Sequence, residues 1–293
     1  MGKTFTVLAV VGALGSVQQV QAQSTETAPS TGKQVVYLTA TDPVSYLFQY
    51  SPPTTDYLTR FREMYGLEAL VAQQTTDLGR AKALCQWVHN RLEHDGHQPF
   101  KSTDAFAILH AAMLGQPVQC VEYGRVLATA FNALGMPARP LYLKSAKVQT
   151  KASAAGHALT EVWLPDLGKW VMVDSQADII PTLNNLPLNA IELQQALSLN
   201  DNGLGIITSS GAKGKPYFRW LQEYLYYFDT VMDNRYNVKS ARTGLMLVPM
   251  GAHKPVIFQR VSSIHNMRYT HSPATFYASP TDASWIVKGT AAK

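Results

Sequence analysis

The sequence predicts an α+β domain, because segments with helical periodicity come first and segments with strand patterns follow them. Apolar residues recur at three- and four-residue spacings between residues 56 and 134, whereas alternating or β-branched segments occupy 139–174. Helices that alternated with strands would instead have indicated a parallel sheet. The chain of 293 residues has 46% hydrophobic and 15% charged residues, which allows a sizeable core and is not typical of global disorder.

Three helices are predicted before Cys120, over residues 56–66, 76–92 and 103–115. Their ends are indicated by polar N-caps and by glycines. A further helix follows Cys120, since Leu127, Phe131 and Leu134 share one helical face and a glycine and a proline come directly after. Cys120 is therefore expected near the N-terminus of that helix.

Three antiparallel strands are predicted over residues 139–144, 156–164 and 169–174. A turn centred between residues 166 and 167 would place Leu159 opposite Asp174. His157 and Asp174 would then be diagonal neighbours on one face of the hairpin, close enough for a hydrogen bond. A three-residue loop would flip one strand and separate the two side chains.

The region after residue 180 has a different pattern. A helix is predicted over 191–199, a Gly- and Ser-rich connector over 201–214, and short strands over 245–248 and 256–258. An aromatic stripe is interpreted as core rather than as a ligand site; it consists of Trp220, Leu221, Tyr224, Leu225 and Phe228. Residues 34–38 could form a strand, but prolines nearby leave this open.

Residues 1–22 are typical of a secretory signal peptide, with a lysine, an apolar run over 5–14 and a cleavable end near Ala22. The apolar run is well short of the ~20 residues that cross a bilayer, so no transmembrane segment is predicted. No cysteine near Ala22 could carry a lipid anchor. We therefore expect a periplasmic or secreted protein.

The net charge is +5, and its basic residues are dispersed along the chain. Lys144, Lys147 and Lys151 are the densest group that is expected to be exposed, and no aromatic residues are interleaved to follow a phosphate backbone. Nucleic acid is therefore not an expected partner. The charge is compatible with an anionic envelope polymer.

The chain has only two cysteines, Cys85 and Cys120, which argues against a disulfide scaffold. Cys85 falls in the apolar stripe of its helix and is interpreted as a buried small hydrophobic residue. A helix N-terminus and a nearby imidazole favour the thiolate form of a cysteine, and Cys120 has the first of these. We expect Cys120 to be a nucleophile, His157 its base and Asp174 the orienting acid. Asp178 competes for the last role, but Asp174 directly follows the apolar strand.

His89, His94 and His97 do not indicate a metal site, because no pair has the four-residue spacing of helical ligands and no acidic cluster accompanies them. Neither a metal nor a cofactor is expected. Glu161 and Trp163 share the predicted face of His157, so each is expected either to line a cleft or to pack in the core.

Several segments together resemble the transglutaminase-like superfamily, and the order Cys, His, Asp is similar to that of the family's core. These segments are Gln119-Cys120, residues 132–139, Gly156-His157 with Glu161-Val162, and residues 169–174. Further upstream, residues 87–89 and 94–96 resemble a bacterial branch of that family. Leu159 departs from the aromatic residue that is common two positions after the family's histidine, which affects the expected pocket shape and removes no catalytic group.

The resemblance implies a papain-like fold in which a thiolate at a helix N-terminus faces a small antiparallel sheet. It implies attack on a peptide or isopeptide amide to form a thioester, and we favour hydrolysis, as in a cysteine peptidase, over transamidation. The backbone N–H of Cys120 and a second, unidentified donor would bind the oxyanion. The expected substrate is a peptide, a protein or a peptidoglycan-type polymer.

The predicted organisation is a linker and N-terminal extension over 23–55, a transglutaminase-like catalytic core over 56–180 and a C-terminal extension over 181–293. An alternative function is a catalytically silent envelope protein that binds a peptide or glycan in the same cleft. The intact positions of Cys120, His157 and Asp174 count against this alternative.

Overall fold

The computed structural model describes residues 35–44, 46–97, 100–238 and 242–280. The predicted signal peptide over residues 1–22 lies outside the described residues. No helix within the described ranges is long and apolar enough to cross a membrane.

Most of the helices lie in the first half of the described chain. They are α1 (Asp56–Met64), α2 (Leu67–Val71), α3 (Asp77–His89), α4 (Ala105–Met113), α5 (Cys120–Ala133), α6 (Ala190–Ser198), α7 (Gly214–Leu221) and α8 (Pro273–Phe276).

Most of the strands come after these first helices. They are β1 (Gln49–Tyr50), β2 (Ala138–Lys144), β3 (Gly156–Leu164), β4 (Lys169–Val173), β5 (Ile180–Leu183), β6 (Leu186–Pro187), β7 (Leu204–Ile207), β8 (Tyr227–Val231), β9 (Asp233–Asn234), β10 (Gly244–Leu247), β11 (Ile257–Phe258), β12 (Ser262–Ser263) and β13 (Met267–Thr270).

The main sheet has six strands in the order β13-β10-β8-β2-β3-β4. All neighbours are antiparallel except β10 and β13, which are parallel. Strands β2, β3 and β4 are the three that the sequence predicts. The C-terminal region adds β8, β10 and β13 beside β2, so both parts of the chain contribute to one sheet.

Two hydrophobic cores form on either side of this sheet. One core joins helices α1 to α5 to a set of strand residues that includes Val162, Leu164 and Val171. The other joins strand residues such as Leu159 and Met172 to α6 and α7 and to the C-terminal strands. Burial on both faces explains why β4 is apolar from Trp170 to Val173, and it also buries the polar residues of β3, namely His157, Thr160 and Glu161.

The local signals that the sequence shows at the helix ends are confirmed. Thr76 caps α3 by accepting a hydrogen bond from the N–H of Gly79 at 3.0 Å, and Asp104 caps α4. Gly66 and Gly115 have φ angles of 59° and 78° and follow helix ends, as the sequence predicts.

Two sequence predictions differ from the structure, and one segment that the sequence left open is now assigned. Four helices, not three, precede Cys120, because the five-residue helix α2 is too short to show periodicity. The connector over 201–214 contains strand β7, which pairs with β5. Residues 35–38 form no regular strand, although the N–H of Leu38 donates to the carbonyl of His271 at 2.8 Å.

The charge pattern also needs one correction. Lys144 is buried rather than exposed, and its ammonium pairs with the carboxylate of Asp229 in β8. Lys147 is exposed, as the sequence predicts. Tyr142 lies opposite Asp229, so Lys144, two residues further along β2, lies on the same face of the sheet as Asp229. The sequence around Lys144 does not reveal this partner, which is 85 residues away.

Candidate active site

Cys120 is the first residue of α5 and is partly exposed. The helix start is stabilised because the carboxylate of Glu122 accepts a hydrogen bond from the N–H of Gln119 at 3.1 Å. Cys120 lines a cavity of about 350 Å³, and His157 lines the same cavity. Helix N-termini favour negative charge, so this position favours a thiolate.

The position of Cys120 against the sheet depends on a close approach between α5 and β3. A Cβ atom at Gly124 would lie 2.8 Å from the carbonyl oxygen of Leu159, so only glycine allows this contact. The hydroxyl of Thr160 donates to the carbonyl of Gly124 at 2.9 Å and ties the two elements together. The N-terminus of α5 is thereby held near the start of β3, where His157 lies.

His157 and Asp174 are hydrogen-bonded through Nε2 and Oδ2 at 2.8 Å. Both are buried, with 5% and 1% of their surface exposed. Because Nε2 is taken by the carboxylate, Nδ1 is the nitrogen left for the thiol, and Cys120 lies close enough to interact with the imidazole. The structure therefore brings together all three residues that the sequence selects.

The predicted hairpin register is the observed one. Leu164 lies opposite Lys169 and Thr160 lies opposite Val173 in the β3–β4 pair. The strand ends at Val173, after which Asp174 forms a single bridge with Ile179. This bend leaves the Asp174 carboxylate directed at His157 from the end of the strand.

Every oxygen of the Asp174 carboxylate has a partner. Oδ1 accepts from the N–H groups of Gln176 at 3.1 Å and Ala177 at 3.3 Å. Oδ2 accepts from the hydroxyl of Tyr217 at 2.9 Å, in addition to His157. A buried carboxylate that is satisfied in this way is fixed in position and remains ionised.

The electrostatics of His157 and Asp174 oppose the effect of burial. Burial alone would lower the pKa of His157, but the charge and hydrogen bond of Asp174, and to a smaller extent those of Cys120, raise it to about 10. Burial would raise the pKa of Asp174, but the charge and hydrogen bond of His157, with the hydroxyl of Tyr217, hold it below its usual value. The imidazole is therefore charged at neutral pH and stabilises negative charge on a group beside it.

Sequence reasoning missed two neighbours of this group, and both lie on α7. Tyr217 is buried, and burial together with the negative charge of Asp174 raises its pKa well above the usual value, so its hydroxyl stays a donor. The ring of Trp220 meets that of His157 edge-on, with centroids 4.8 Å apart. Trp220 is 42% exposed, so its assignment to the core was wrong, whereas Leu221, Tyr224, Leu225 and Phe228 are buried as predicted.

Cys85 occupies the opposite environment. It is 2% exposed within α3, and its thiol donates to the carbonyl of Asp174 at 3.7 Å. Burial, with the carboxylates of Asp178 and Asp174 nearby, raises the pKa of Cys85 well above the usual value. The prediction of a buried hydrophobic residue is confirmed.

The other candidates from the sequence lie away from the reacting groups. Asp178 accepts from the N–H groups of residues 209 and 210 at 2.7 and 2.6 Å and orders that loop. Glu161 forms a fully buried ion pair with Arg139 at 3.0 Å, and Trp163 packs against Trp170, so both serve the core. Within the described ranges, no group of three or more His, Cys, Asp or Glu side chains could hold a metal ion.

Residues 67–175 match the sequence model of the transglutaminase-like superfamily. This segment, which makes up less than half of the chain, is similar to that superfamily. The matched range includes Cys120, His157 and Asp174 and ends one residue after Asp174. The match confirms the family resemblance over this range, and the helices and antiparallel strands of the structure confirm the α+β class that the sequence predicts. The whole C-terminal region, including Tyr217 and Trp220, lies outside the matched range.

Solved structures similar to this chain come from several enzyme families. A protein from Cytophaga hutchinsonii that is proposed to be a cysteine protease is 15% identical, with a TM-score of 0.33 over 53% of this chain and 49% of that chain. Red sea bream transglutaminase is 14% identical, with a TM-score of 0.32 over 64% of this chain and 33% of that chain. Arylamine N-acetyltransferase of Nocardia farcinica is 12% identical, with a TM-score of 0.31 over 66% of this chain and 78% of that chain.

This chain spans half or less of the length of the first two of these proteins. No curated protein sequence matches the chain significantly.

Proposed function

We propose that this protein is a thiol enzyme that cleaves peptide or isopeptide amide bonds through a thioester on Cys120. The observation that carries the proposal is the 2.8 Å bond between His157 and Asp174 beside a cysteine at a helix N-terminus. A nucleophile, a base and a group that orients the base are the parts that covalent acyl transfer requires. The transglutaminase-like match over residues 67–175 supports the same class of chemistry.

In the proposed reaction, the Cys120 thiolate attacks the amide carbonyl carbon and forms a tetrahedral oxyanion. As the first residue of α5, Cys120 has a backbone N–H without an acceptor inside the helix, and this group would donate to the oxyanion. The His157 imidazolium gives its proton to the leaving nitrogen as the C–N bond breaks, which leaves a thioester and a free amine.

The second half of the reaction reverses these roles. Neutral His157 removes a proton from water, the resulting hydroxide attacks the thioester, and the acid product leaves as the thiolate re-forms. We favour water over an amine as the acceptor because Cys120 is partly exposed and solvent can reach the thioester. Asp174 and Tyr217 act as positioning residues that hold the imidazole and stabilise its charged form.

The proposed substrate is a peptide, a protein or a peptidoglycan-type polymer outside the cytoplasm. The location rests on the signal-peptide pattern of residues 1–22. Sequencing the N-terminus of protein recovered from outside the cytoplasm should show a chain that begins at or near Gln23. Recovery of an uncleaved form that begins at Met1 would contradict this location.

A test of the chemistry needs no physiological substrate. A p-nitrophenyl ester is an activated acyl donor, and the proposal predicts a burst of about one p-nitrophenolate per protein molecule, followed by slower turnover. Mass spectrometry should find the acyl group on Cys120. The Cys120→Ala variant should show no burst, whereas the matched Cys85→Ala variant should keep it. A burst of full amplitude in folded Cys120→Ala would rule out the proposed mechanism.

The acceptor can be tested in the same assay. Addition of a primary amine, such as glycine methyl ester, lets the thioester partition between water and the amine. Hydrolysis predicts that the free acid stays the main product at millimolar amine. A product that is mainly the amide would instead make the enzyme a transferase.

A further inference from the structure

We propose that the cavity beside Cys120 binds a large apolar side chain of the acyl substrate, and that the C-terminal region builds its outer wall. This inference rests on the proposed function, because it assigns the cavity to the group whose carbonyl Cys120 attacks. It adds a substrate class, namely acyl donors with a side chain of leucine to phenylalanine size.

The cavity is continuous with the reacting groups. Cys120 and His157 both line its volume of about 350 Å³. This lies within the ~300–1,000 Å³ range of small-molecule sites, so a leucine, methionine or phenylalanine side chain can enter. A side chain that fills it would hold the adjoining carbonyl next to the thiol.

The walls come from two parts of the chain. Val121 and Ala158 line the cavity from the transglutaminase-like core, and Phe258, Ile264 and Met267 line it from the C-terminal region. All five side chains are apolar. A surface of this kind gains free energy from removing apolar atoms of a ligand from water.

The charged groups of the cavity neutralise each other. Lys144 and Asp229 both line it, but they are buried and form an ion pair with one another. Among the described lining residues, no Lys, Arg, Asp or Glu is therefore left unpaired to face an incoming side chain. His265 also lines the cavity and is exposed to solvent. A charged side chain would lose its hydration in this cavity without gaining a partner.

Gly156 allows the outer wall to lie close to the strand that carries His157. A Cβ atom there would lie 2.6 Å from the carbonyl oxygen of Leu143 and 3.3 Å from the ring of Phe258. The absence of a side chain at this position lets Phe258 pack directly on β3. Phe258 of the outer wall thus packs on Gly156, the residue directly before the base His157.

The hairpin of β11 and β12, which carries Phe258, is anchored to the loop after β2. The N–H of Gln259 donates to the carbonyl of Val148 at 2.9 Å, and the guanidinium of Arg260 donates to the carbonyl of Thr150 at 2.6 Å. These bonds hold the wall in place before any ligand arrives. A preformed site loses less ordering entropy on binding than a mobile one.

The test compares alkylating reagents that differ only in one side chain. N-acetyl chloromethyl ketones of glycine, aspartate, leucine and phenylalanine place that side chain next to the reactive carbon. Cys120 alkylation, followed by mass spectrometry, should be about 10- to 100-fold faster with leucine or phenylalanine than with glycine or aspartate, because burial of such side chains is strongly favourable. Equal rates, or a faster reaction with aspartate, would overturn the inference.

A filled cavity provides the second arm. Ile264→Trp should abolish the preference for leucine and phenylalanine when each rate is divided by the rate of the same variant with iodoacetamide, which is too small to need the cavity. The matched control is Val261→Trp, three residues earlier, where 83% of the residue surface is exposed and which does not line this cavity. An unchanged preference in folded Ile264→Trp would overturn the inference.

If Ile264→Trp does not fold, Phe258→Ala decides the question by enlarging the same cavity, and it should shift the preference from leucine towards phenylalanine. No shift in a folded Phe258→Ala variant would overturn the inference. If iodoacetamide labels Cys120 fast but the four chloromethyl ketones react at equal rates, only the cavity assignment is overturned. Failure of every reagent to label Cys120 selectively would overturn the proposed function as well.

Discussion

The two cysteines of this protein occupy environments that differ in almost every respect that controls thiol chemistry. Cys85 lies within α3, surrounded by apolar side chains, with 2% of its surface exposed. Cys120 begins α5, is partly exposed, and lines a cavity together with His157. The thiol of Cys85 therefore packs in the core, whereas the thiol of Cys120 can be reached by a substrate.

The charges around the two thiols also have opposite signs. Asp174 and Asp178 lie near Cys85 and add to the effect of burial in raising its pKa. A histidine whose pKa is raised to about 10 lies beside Cys120, so a positive charge faces that thiol at neutral pH. Asp174 takes part in both environments, because its carbonyl contacts Cys85 and its carboxylate holds His157. Reactivity here follows from position in the fold rather than from residue type.

The largest expected difference is in alkylation. Sub-stoichiometric iodoacetamide at neutral pH should modify Cys120 at least about 100-fold faster than Cys85, because only Cys120 is accessible and lies beside both a helix N-terminus and an imidazole. Peptide mass spectrometry measures the two rates in one sample. After unfolding in urea the two rates should become similar, which serves as the control. Equal labelling of the two cysteines, or faster labelling of Cys85, in the native protein would contradict this expectation.

Removal of the base should have the next largest effect. His157→Ala should lower kcat/KM for a p-nitrophenyl ester by about 10²- to 10⁴-fold, the usual contribution of general acid–base catalysis. Asp174→Asn should keep more activity, since Asp174 only orients the imidazole and stabilises its charge. The exposed His110 in α4 provides the control, and His110→Ala should be unchanged. Circular dichroism confirms folding, and an Asp174→Asn variant less active than His157→Ala would contradict this order.

Loss of the Tyr217 hydroxyl should have a smaller effect. Tyr217→Phe removes one hydrogen bond to the Asp174 carboxylate and should lower kcat by about 10-fold with little change in KM, as expected for a bond to a charged group. Tyr227→Phe removes a hydroxyl that donates to the carbonyl of His253 at 2.9 Å, so it controls for the loss of a hydrogen bond elsewhere. If both variants change kcat equally, Tyr217 does not act through Asp174.

The smallest expected effect is on the pH dependence of the free energy of unfolding. It arises from His157, which lies beside Cys120 and not beside Cys85. His157 has a folded-state pKa raised from 6.5 to about 10, so it contributes stability that is fully present below pH 6.5 and lost as the pH rises through about 10. Asp174→Asn removes the charge that raises this pKa, so its free energy of unfolding should fall less over the same window. Urea titrations at several pH values measure both proteins, and parallel curves would contradict the prediction.

The sequence by itself determined the local part of this architecture. Helix starts, glycine stops and the register of the β3–β4 hairpin follow from residues within a few positions of one another. That register placed His157 and Asp174 together, and the start of the helix after residue 119 placed Cys120 at an N-terminus. Turn geometry and helix capping are short-range effects, which is why a single sequence was enough.

Only the tertiary structure decided which distant residues complete the site. Tyr217 donates a hydrogen bond to Asp174, which is 43 positions away in the sequence, and Lys144 pairs with Asp229, which is 85 positions away. Trp220, which the sequence assigned to the core, packs against His157. An amphipathic pattern shows that a helix has a buried face, but it does not show what that face meets. The contact of Lys144 exists because β8 pairs with β2, and the contacts of Tyr217 and Trp220 exist because α7 packs in the hydrophobic core that includes Leu159 and Met172. Both depend on packing of segments that are far apart in sequence.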